Sequence, residues 1–462
     1  MTDYYFENAL LADGWAENVR VCVDSTGTIS RVEQGEQQDV SGNGAEIVSG
    51  VVLPGIPNLH SHAFQRAVAG LTEHRHSADG DSFWTWREVM HSFVTRLTPD
   101  DVLAIASRLY VEMLKAGFTS VGEFHYVHLT PDGHHYDDFL EMSEAILTAA
   151  GQTGIGVTLL PVLYSCGGYD GREANDGQRR FILPVPEFLQ LIDGLIGRHK
   201  DNPQVRVGIA PHSVRQVPAT ELRECLDGFS RLDATAPIHI HVAEQINDVT
   251  DHVKATGARP VEWLLDNTQI DQRWCMVHAT HMTDAETLNL AASGAVAGIC
   301  PTTEANLGDG LFPLETYLNA GGVFGIGSDC HISVSPVEEI RWLEYGQRLI
   351  HKSRNVAAPG RGGSTGMRLL SDCLSGGAQA LGRPVGAIAV GNRADWIVLD
   401  PDHPQLVGRS RERFIDSYIF AGNANPVQHV MVGGSWVVRD QVHHAEDAIS
   451  KAYAKTAKGL LK

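Results

Sequence analysis

The sequence predicts an α/β protein: a closed (β/α)8 barrel of the TIM type, with a small β-sandwich assembled from both ends of the chain. Three observations carry this prediction. Short apolar strands alternate with amphipathic helices through the middle of the 462 residues, the rhythm of a parallel sheet with crossover helices. Alternating, turn-rich β segments occupy both ends. Metal-competent polar side chains stand where several middle strands stop, which is the face on which barrels gather function.

The first 52 residues form one part of the small domain. YYFENALLA, NVRVCVDSTGTISRVEQG and AEIVSGVVLPG alternate in polarity around Gly and Asp turns and show no helical period. Residues 381–462 supply the other part, through GAIAVGNRADWIVLD and VQHVMVGGSWVVRDQ, followed by a terminal helix. Residues 53–380 form the barrel. Its candidate strands are VVLPGIPNLH (51–60), TSVGEFHY (119–126), GVTLLPVLYS (156–165) and VRVGIAP (205–211). PIHIHVAE (237–244), CMVHAT (275–280), AVAGIC (295–300) and VFGIGSD (323–329) complete the eight. DDVLAIASRLYVEMLKAG, YDDFLEMSEAILTAAGQTG and the stretch from Pro186 to Ile196 carry helical patterns between them. An open doubly wound sheet would show the same alternation, and the histidines decide between the two.

Composition narrows the function classes. A net charge of -20 argues against nucleic acid or an anionic membrane as partner. A small anionic substrate stays open, because a local arginine cluster outweighs a distant, screened field. Seven dispersed cysteines without a CxxC pair read as reduced thiols. The start, MTDYYFENALLADGWAENV, reads as neither a signal peptide nor a membrane anchor, so a cytoplasmic location is expected. No phosphate loop or dinucleotide fingerprint follows any candidate strand.

The first barrel strand ends in His60-Ser61-His62, and side chains two apart on a strand face the same side. The fifth strand carries His239 and His241 and leads into Glu244; the sixth ends at His278 and the eighth at Asp329. Imidazole nitrogen and carboxylate oxygen suit one divalent ion of zinc type with an open position for water. A single HxH is weak evidence among 22 histidines. Buried histidines satisfied by backbone would explain one such strand end but not four.

PGIPNLHSH, HIHVAE, VHAT and GSD resemble successive strand motifs of the amidohydrolase superfamily, and specifically its deaminase-like branch with one metal ion. The resemblance spans essentially the whole chain. It implies His60, His62, His241 and Asp329 as metal ligands, Glu244 as proton carrier, and His278 as the group that orients or polarises the attacking water. His239 then becomes a packed strand residue. Members of the superfamily with two ions carry a lysine at the end of strand four. VRVGIAPHSVRQ has none, which favours one ion. Such an ion lowers the pKa of a coordinated water toward ~7; Asp329 can accept the water's proton, and Glu244 can deliver one to a departing nitrogen.

Substrate choice lies in the loops. The long segment after strand one contains Phe83-Trp84-Thr85-Trp86 and suits a lid over the metal. Arg87, Arg215 and the Tyr126 phenol can form a carboxylate clamp, since guanidinium forks grip carboxylates in two places. HSHAFQRAVAGLTE, FWTWRE, APHSVR and HIHVAEQ are similar to the family of deiminases that act on N-formimino-L-glutamate. That similarity implies Gln65, Arg87, Tyr126, His212 and Arg215 as substrate-binding residues, a small-molecule substrate with two carboxylates, and a homodimer. Rival readings are a deaminase or chlorohydrolase of the same branch acting on guanine, cytosine or a triazine, and a non-catalytic barrel relative that lost its metal. Residues 353–370 are expected as a mobile surface loop, and the pairs His134-His135 and His443-His444 as surface residues.

Overall fold

The computed structural model describes residues 1–35, 44–75, 81–169 and 171–460. The N-terminal strands are β1 (Thr2–Leu11), β2 (Gly14–Val23), β3 (Ile29–Gln34) and β4 (Glu46–Pro54). The barrel strands are β5 (Ile56–Ser61), β6 (Phe118–His125), β7 (Gly156–Leu163), β8 (Val205–Val207) and β9 (Ala210–Pro211), then β10 (Ile238–Val242), β11 (Trp274–His278), β12 (Val296–Ile299) and β13 (Val323–Ile326). The C-terminal strands are β14 (Trp396–Leu399), β15 (Val427–Val432), β16 (Ser435–Arg439) and β17 (Val442–His443).

The two ends meet in one eight-stranded sheet of order β17-β16-β15-β14-β4-β1-β2-β3. β14 pairs antiparallel with β4, so the C-terminal segment adds directly onto the N-terminal one. Tyr4, Phe6, Val19, Val21, Trp396 and Met431 form a core separate from that of the barrel.

In the barrel every neighbouring pair is parallel, in two arcs running β5 to β8 and β10 to β13. Bridges Ile209 to Ile238 and Ser61 to Asp329 join the arcs on both sides. β8 and β9 both pair with β7 and occupy one strand position, which leaves eight. The interruption lies at Gly208, where a Cβ would stand 2.5 Å from the Pro237 carbonyl oxygen. β5, β6, β7, β10, β11 and β12 are buried at every residue, as parallel strands with covered faces require.

The helices follow local rules. Pro99–Ala116 starts from Thr98, whose hydroxyl accepts the Asp101 N–H, with Pro99 at its first position. Val102, Ile105, Leu109 and Met113 recur at helical spacing and are buried in the main core. The helix stops at Gly117, which takes a left-handed φ of 107°.

Four expectations need correction. The single strand 51–60 is two: β4 ends at Pro54, and β5 begins at Ile56 in the barrel. Gly55 makes the change of sheet, in a space where a Cβ would meet the Thr119 side chain at 2.2 Å. The stretch 353–370 is not all loop, because the helix Thr365–Leu381 begins inside it. Ser364 caps that helix by accepting the Met367 N–H, and Leu369 and Leu370 are buried, so capping and apolar spacing outweigh the nearby glycines. His443 is buried and donates from Nε2 to the Thr153 carbonyl at 2.9 Å, whereas His444 is exposed. Residues 386–392 contain no strand; the ladder starts only at Trp396.

Candidate active site

β5 delivers His60 and His62 to one face of its end, β10 delivers His241, and Asp329 follows β13. The barrel closes at this point. The Asp329 N–H donates to the His60 carbonyl and the His62 N–H to the Asp329 carbonyl, both at 3.1 Å. Asp329 and His278 are non-glycine residues with φ of 45° and 68°, a sparsely populated region whose strain marks functional strand ends.

Three ring nitrogens converge. His60 Nε2 lies 3.2 Å from His62 Nε2 and 3.1 Å from His241 Nε2. Asp329 Oδ1 is 3.4 Å from both His60 and His62 Nε2. His62 Nδ1 donates to the Phe124 carbonyl at 2.9 Å, and His241 Nδ1 to the His212 carbonyl at 3.1 Å. Those two bonds fix the tautomers, so both Nε2 atoms present lone pairs. Burial lowers the His60 pKa to about 3 and pushes His62 and His241 down as well, leaving neutral rings. Three imidazole nitrogens from two strand ends, two of them held as lone pairs, crowd together beside a carboxylate from a third strand end. A divalent cation satisfies all of them at once, so this donor set fits the expected ion.

His239 does not join this group. Its Nε2 donates to the Ala380 carbonyl at 2.8 Å, the packed role expected of it.

Glu244 follows β10 and lies with Oε1 3.8 Å from His278 Nε2. Burial raises its pKa to about 7. His278 Nε2 also sits 3.8 Å from Asp329 Oδ2, while its Nδ1 faces Glu304 Oε1 at 3.4 Å. Glu304 Oε1 in turn accepts the Cys300 N–H at 2.9 Å. Burial works against a charged His278, but Glu244, Glu304 and Asp329 outweigh it and lift the pKa to about 10.

A cavity opens above these groups. Gln65, Arg87, Tyr126, His212 and Arg215 line it together with His62, His241, Glu244, His278 and Asp329. The helix Phe83–Val94 supplies part of the wall. Ser82 caps it, and Phe83, Trp86, Arg87 and Met90 fall on one helical face toward the cavity. Residues 76–80 of the expected lid lie outside the described residues. Gln65 Nε2 donates to the Tyr126 hydroxyl at 3.0 Å. Arg87 donates to the Tyr164 hydroxyl at 2.7 Å, and Gln178 Nε2 donates to the same oxygen at 2.6 Å. The Trp84 ring lies 5.6 Å from the Arg87 guanidinium and 5.4 Å from that of Arg215.

The two arginines differ. Arg215 is ion-paired with Asp248, whereas Arg87 has no carboxylate within salt-bridge distance among the described residues. Of the two cations of the clamp expected from the sequence, Arg215 thus already has a carboxylate partner within the protein.

Sequence reasoning missed Asp248, Asp309, Glu304 and Tyr164 as neighbours of the site. Asp309 is buried, accepts from the Gln245 side-chain amide, and groups with Glu244 and His278. Burial, with the Glu244 charge beside it, raises its pKa to about 9. The run CPTTEANLGDG holds both Glu304 and Asp309, but only long-range packing shows which acids turn inward.

Comparison with known proteins completes the picture. Residues 51–437 match the model of the amidohydrolase family, and residues 1–41 that of the N-terminal domain of formimidoylglutamate deiminase HutF. A formimidoylglutamate deiminase of Pseudomonas aeruginosa is 47% identical over 462 residues, covering 100% of both chains. A crystal structure of an amidohydrolase from Brucella melitensis has 45% identity, full coverage of both chains and a TM-score of 0.93. Atrazine chlorohydrolase TrzN from Arthrobacter aurescens TC1, complexed with zinc, has 22% identity, full coverage of both chains and a TM-score of 0.83; at that identity it speaks for the fold alone.

Proposed function

The chain belongs to the amidohydrolase family, in its formimidoylglutamate deiminase branch, and on that premise we propose that it hydrolyses N-formimino-L-glutamate to N-formyl-L-glutamate and ammonia in histidine degradation. The observation that carries this reading is one cavity holding both a convergent imidazole–carboxylate set and the Arg87 and Arg215 guanidiniums.

His60, His62, His241 and Asp329 hold one divalent ion, which supplies Lewis acidity and brings the pKa of a water toward ~7. Zinc is the ion proposed; the nitrogen–oxygen donor set suits it, and a zinc-bound structure shares the fold. The reaction joins a water oxygen to the formimino carbon and breaks that carbon's bond to the terminal nitrogen. Asp329 takes a proton from the attacking water, and His278, fixed at Nδ1 by Glu304, orients that water. Glu244 lies in the same cavity and delivers a proton to the terminal nitrogen, which leaves as ammonia. A pKa near 7 lets Glu244 both hold and release that proton at neutral pH.

Arg87 and Arg215, with Tyr126, Gln65 and His212, grip the two glutamate carboxylates. Among the described residues no helix is long and apolar enough to cross a membrane. A cytoplasmic enzyme and a homodimer complete the proposal. The exposed Trp342, Tyr345, Leu349 and Ile350 along the helix Pro336–His351 offer an apolar face for a second copy.

Ammonia release by zinc-loaded protein tests the reading, with N-formimino-L-glutamate, guanine and cytosine assayed in parallel. Release from the formimino compound alone is expected. Turnover of a ring substrate instead would replace the substrate and keep the chemistry. Silence on all three with no bound metal would point to a non-catalytic relative.

A further inference from the structure

Arg215 faces the substrate cavity yet is not a free cation. Its Nη1 is ion-paired with Asp248 Oδ1, both side chains are buried, and its Nε donates to Gln216 Oε1 at 3.1 Å. The other Asp248 oxygen accepts the backbone N–H of Gln245 at 3.1 Å. That bond ties the arginine's partner to the residue after Glu244. Arg87 is held by a neutral phenol. Counted together, Arg87, Arg215 and Asp248 carry one net positive charge, with the Trp84 ring against both guanidiniums.

The proposed reaction changes charge in a way that this count matches. Amidines are strong bases and are protonated at neutral pH, so N-formimino-L-glutamate carries two negative charges and one positive, a net monoanion. Hydrolysis turns the amidinium into a neutral formamide, and the organic product is a dianion. We propose that Asp248 is a positioning residue that neutralises Arg215, so that the carboxylate site suits the monoanionic substrate and holds the dianionic product weakly enough to release it. Without the Asp248 carboxylate the Arg87–Arg215 pair would carry two positive charges and retain the product. This inference rests on the proposed reaction for its biological sense, but the charge selectivity itself is measurable without turnover.

The test is titration calorimetry of the metal-loaded protein with N-formyl-L-glutamate, a dianion, and N-formyl-L-glutamine, a monoanion of nearly the same shape. In Asp248→Asn the preference for the dianion over the monoanion should rise about tenfold, the scale of one added unit charge in a partly screened site. Asp248→Glu should restore the native ratio. If the asparagine variant does not fold, Asp248→Ser removes the charge while keeping an acceptor for the Gln245 N–H, and the same rise is expected. An unchanged ratio, with both ligands weakened alike, would show that Asp248 serves only as a strut and would overturn the proposal. Failure of the native enzyme to turn over N-formimino-L-glutamate would instead count against the reaction, and the ratio would still decide the charge assignment.

Discussion

Replacing Arg87 by methionine isolates the clamp cation that has no carboxylate within salt-bridge distance among the described residues. Methionine keeps an unbranched chain over the Trp84 ring and removes the charge and the hydrogen bond to Tyr164. Two unit charges about 4 Å apart interact by about 4 kcal/mol at an effective dielectric of 20. Part of that is spent in desolvating the guanidinium, which burial already disfavours. What survives is the net value of a hydrogen bond to a charged group, about 1.5–3 kcal/mol. At 1.4 kcal/mol per factor of ten, KM for N-formimino-L-glutamate should rise about 10- to 150-fold. Because Arg87 grips a carboxylate remote from the reacting carbon, kcat should fall much less, the signature of binding lost equally from ground and transition states. Steady-state ammonia release, with metal content measured alongside, separates the two constants. A KM within twofold of native, or a loss confined to kcat, would refute the assignment of Arg87 to a substrate carboxylate.

Glu244→Gln should retain bound metal and lower kcat by about 10²–10⁴, the usual worth of a general acid–base group; activity within tenfold of native would remove Glu244 from the chemistry. Glu123, fully buried, accepts from Ser61, Tyr110 and the Ala63 N–H, and burial raises its pKa from 4.5 to about 7. A carboxyl with a raised folded pKa contributes stability below the unfolded value that is lost as pH rises through the folded one. Between about pH 4.5 and 7 the native protein should therefore lose roughly 3 kcal/mol relative to Glu123→Gln, read as a pH-dependent difference in Tm. Parallel Tm curves for the two proteins would contradict it. Gly376 lets the helix Thr365–Leu381 lie against β13, where a Cβ would stand 1.9 Å from the Phe324 carbonyl oxygen. Gly376→Ala should cost about 1–3 kcal/mol in denaturant unfolding, and an unchanged midpoint would show that the helix can shift freely.

The parts of the fold that were legible are those with a short-range signature. Eight apolar runs, alternating with helices such as Pro99–Ala116, announced the barrel because strand and helix periods differ. The HxH of β5, His241, His278 and Asp329 were readable because each stands where an apolar strand stops. His239 was separable from His241 only by resemblance, and its bond to Ala380 supplies the physical reason for the difference. The break at Gly55 was illegible because β4 and β5 follow each other without a charged residue between them; only their ladder partners, β1 and β14 for β4 and β6 for β5, assign them to different sheets. Asp248 was invisible for a similar reason. Thirty-three positions separate it from Arg215, and in sequence it reads as an ordinary acid in a first helical turn. Charges that meet across a cavity have no local pattern to read.

The central claim is that one particular carbon–nitrogen bond is hydrolysed, and carbon NMR of N-formimino-L-glutamate labelled at the formimino carbon tests it most directly. The account predicts that metal-loaded enzyme moves the label into the formyl carbon of N-formyl-L-glutamate, with one equivalent of ammonium appearing in step. Label found in formamide, with free glutamate beside it, or left unchanged in the substrate, would contradict it.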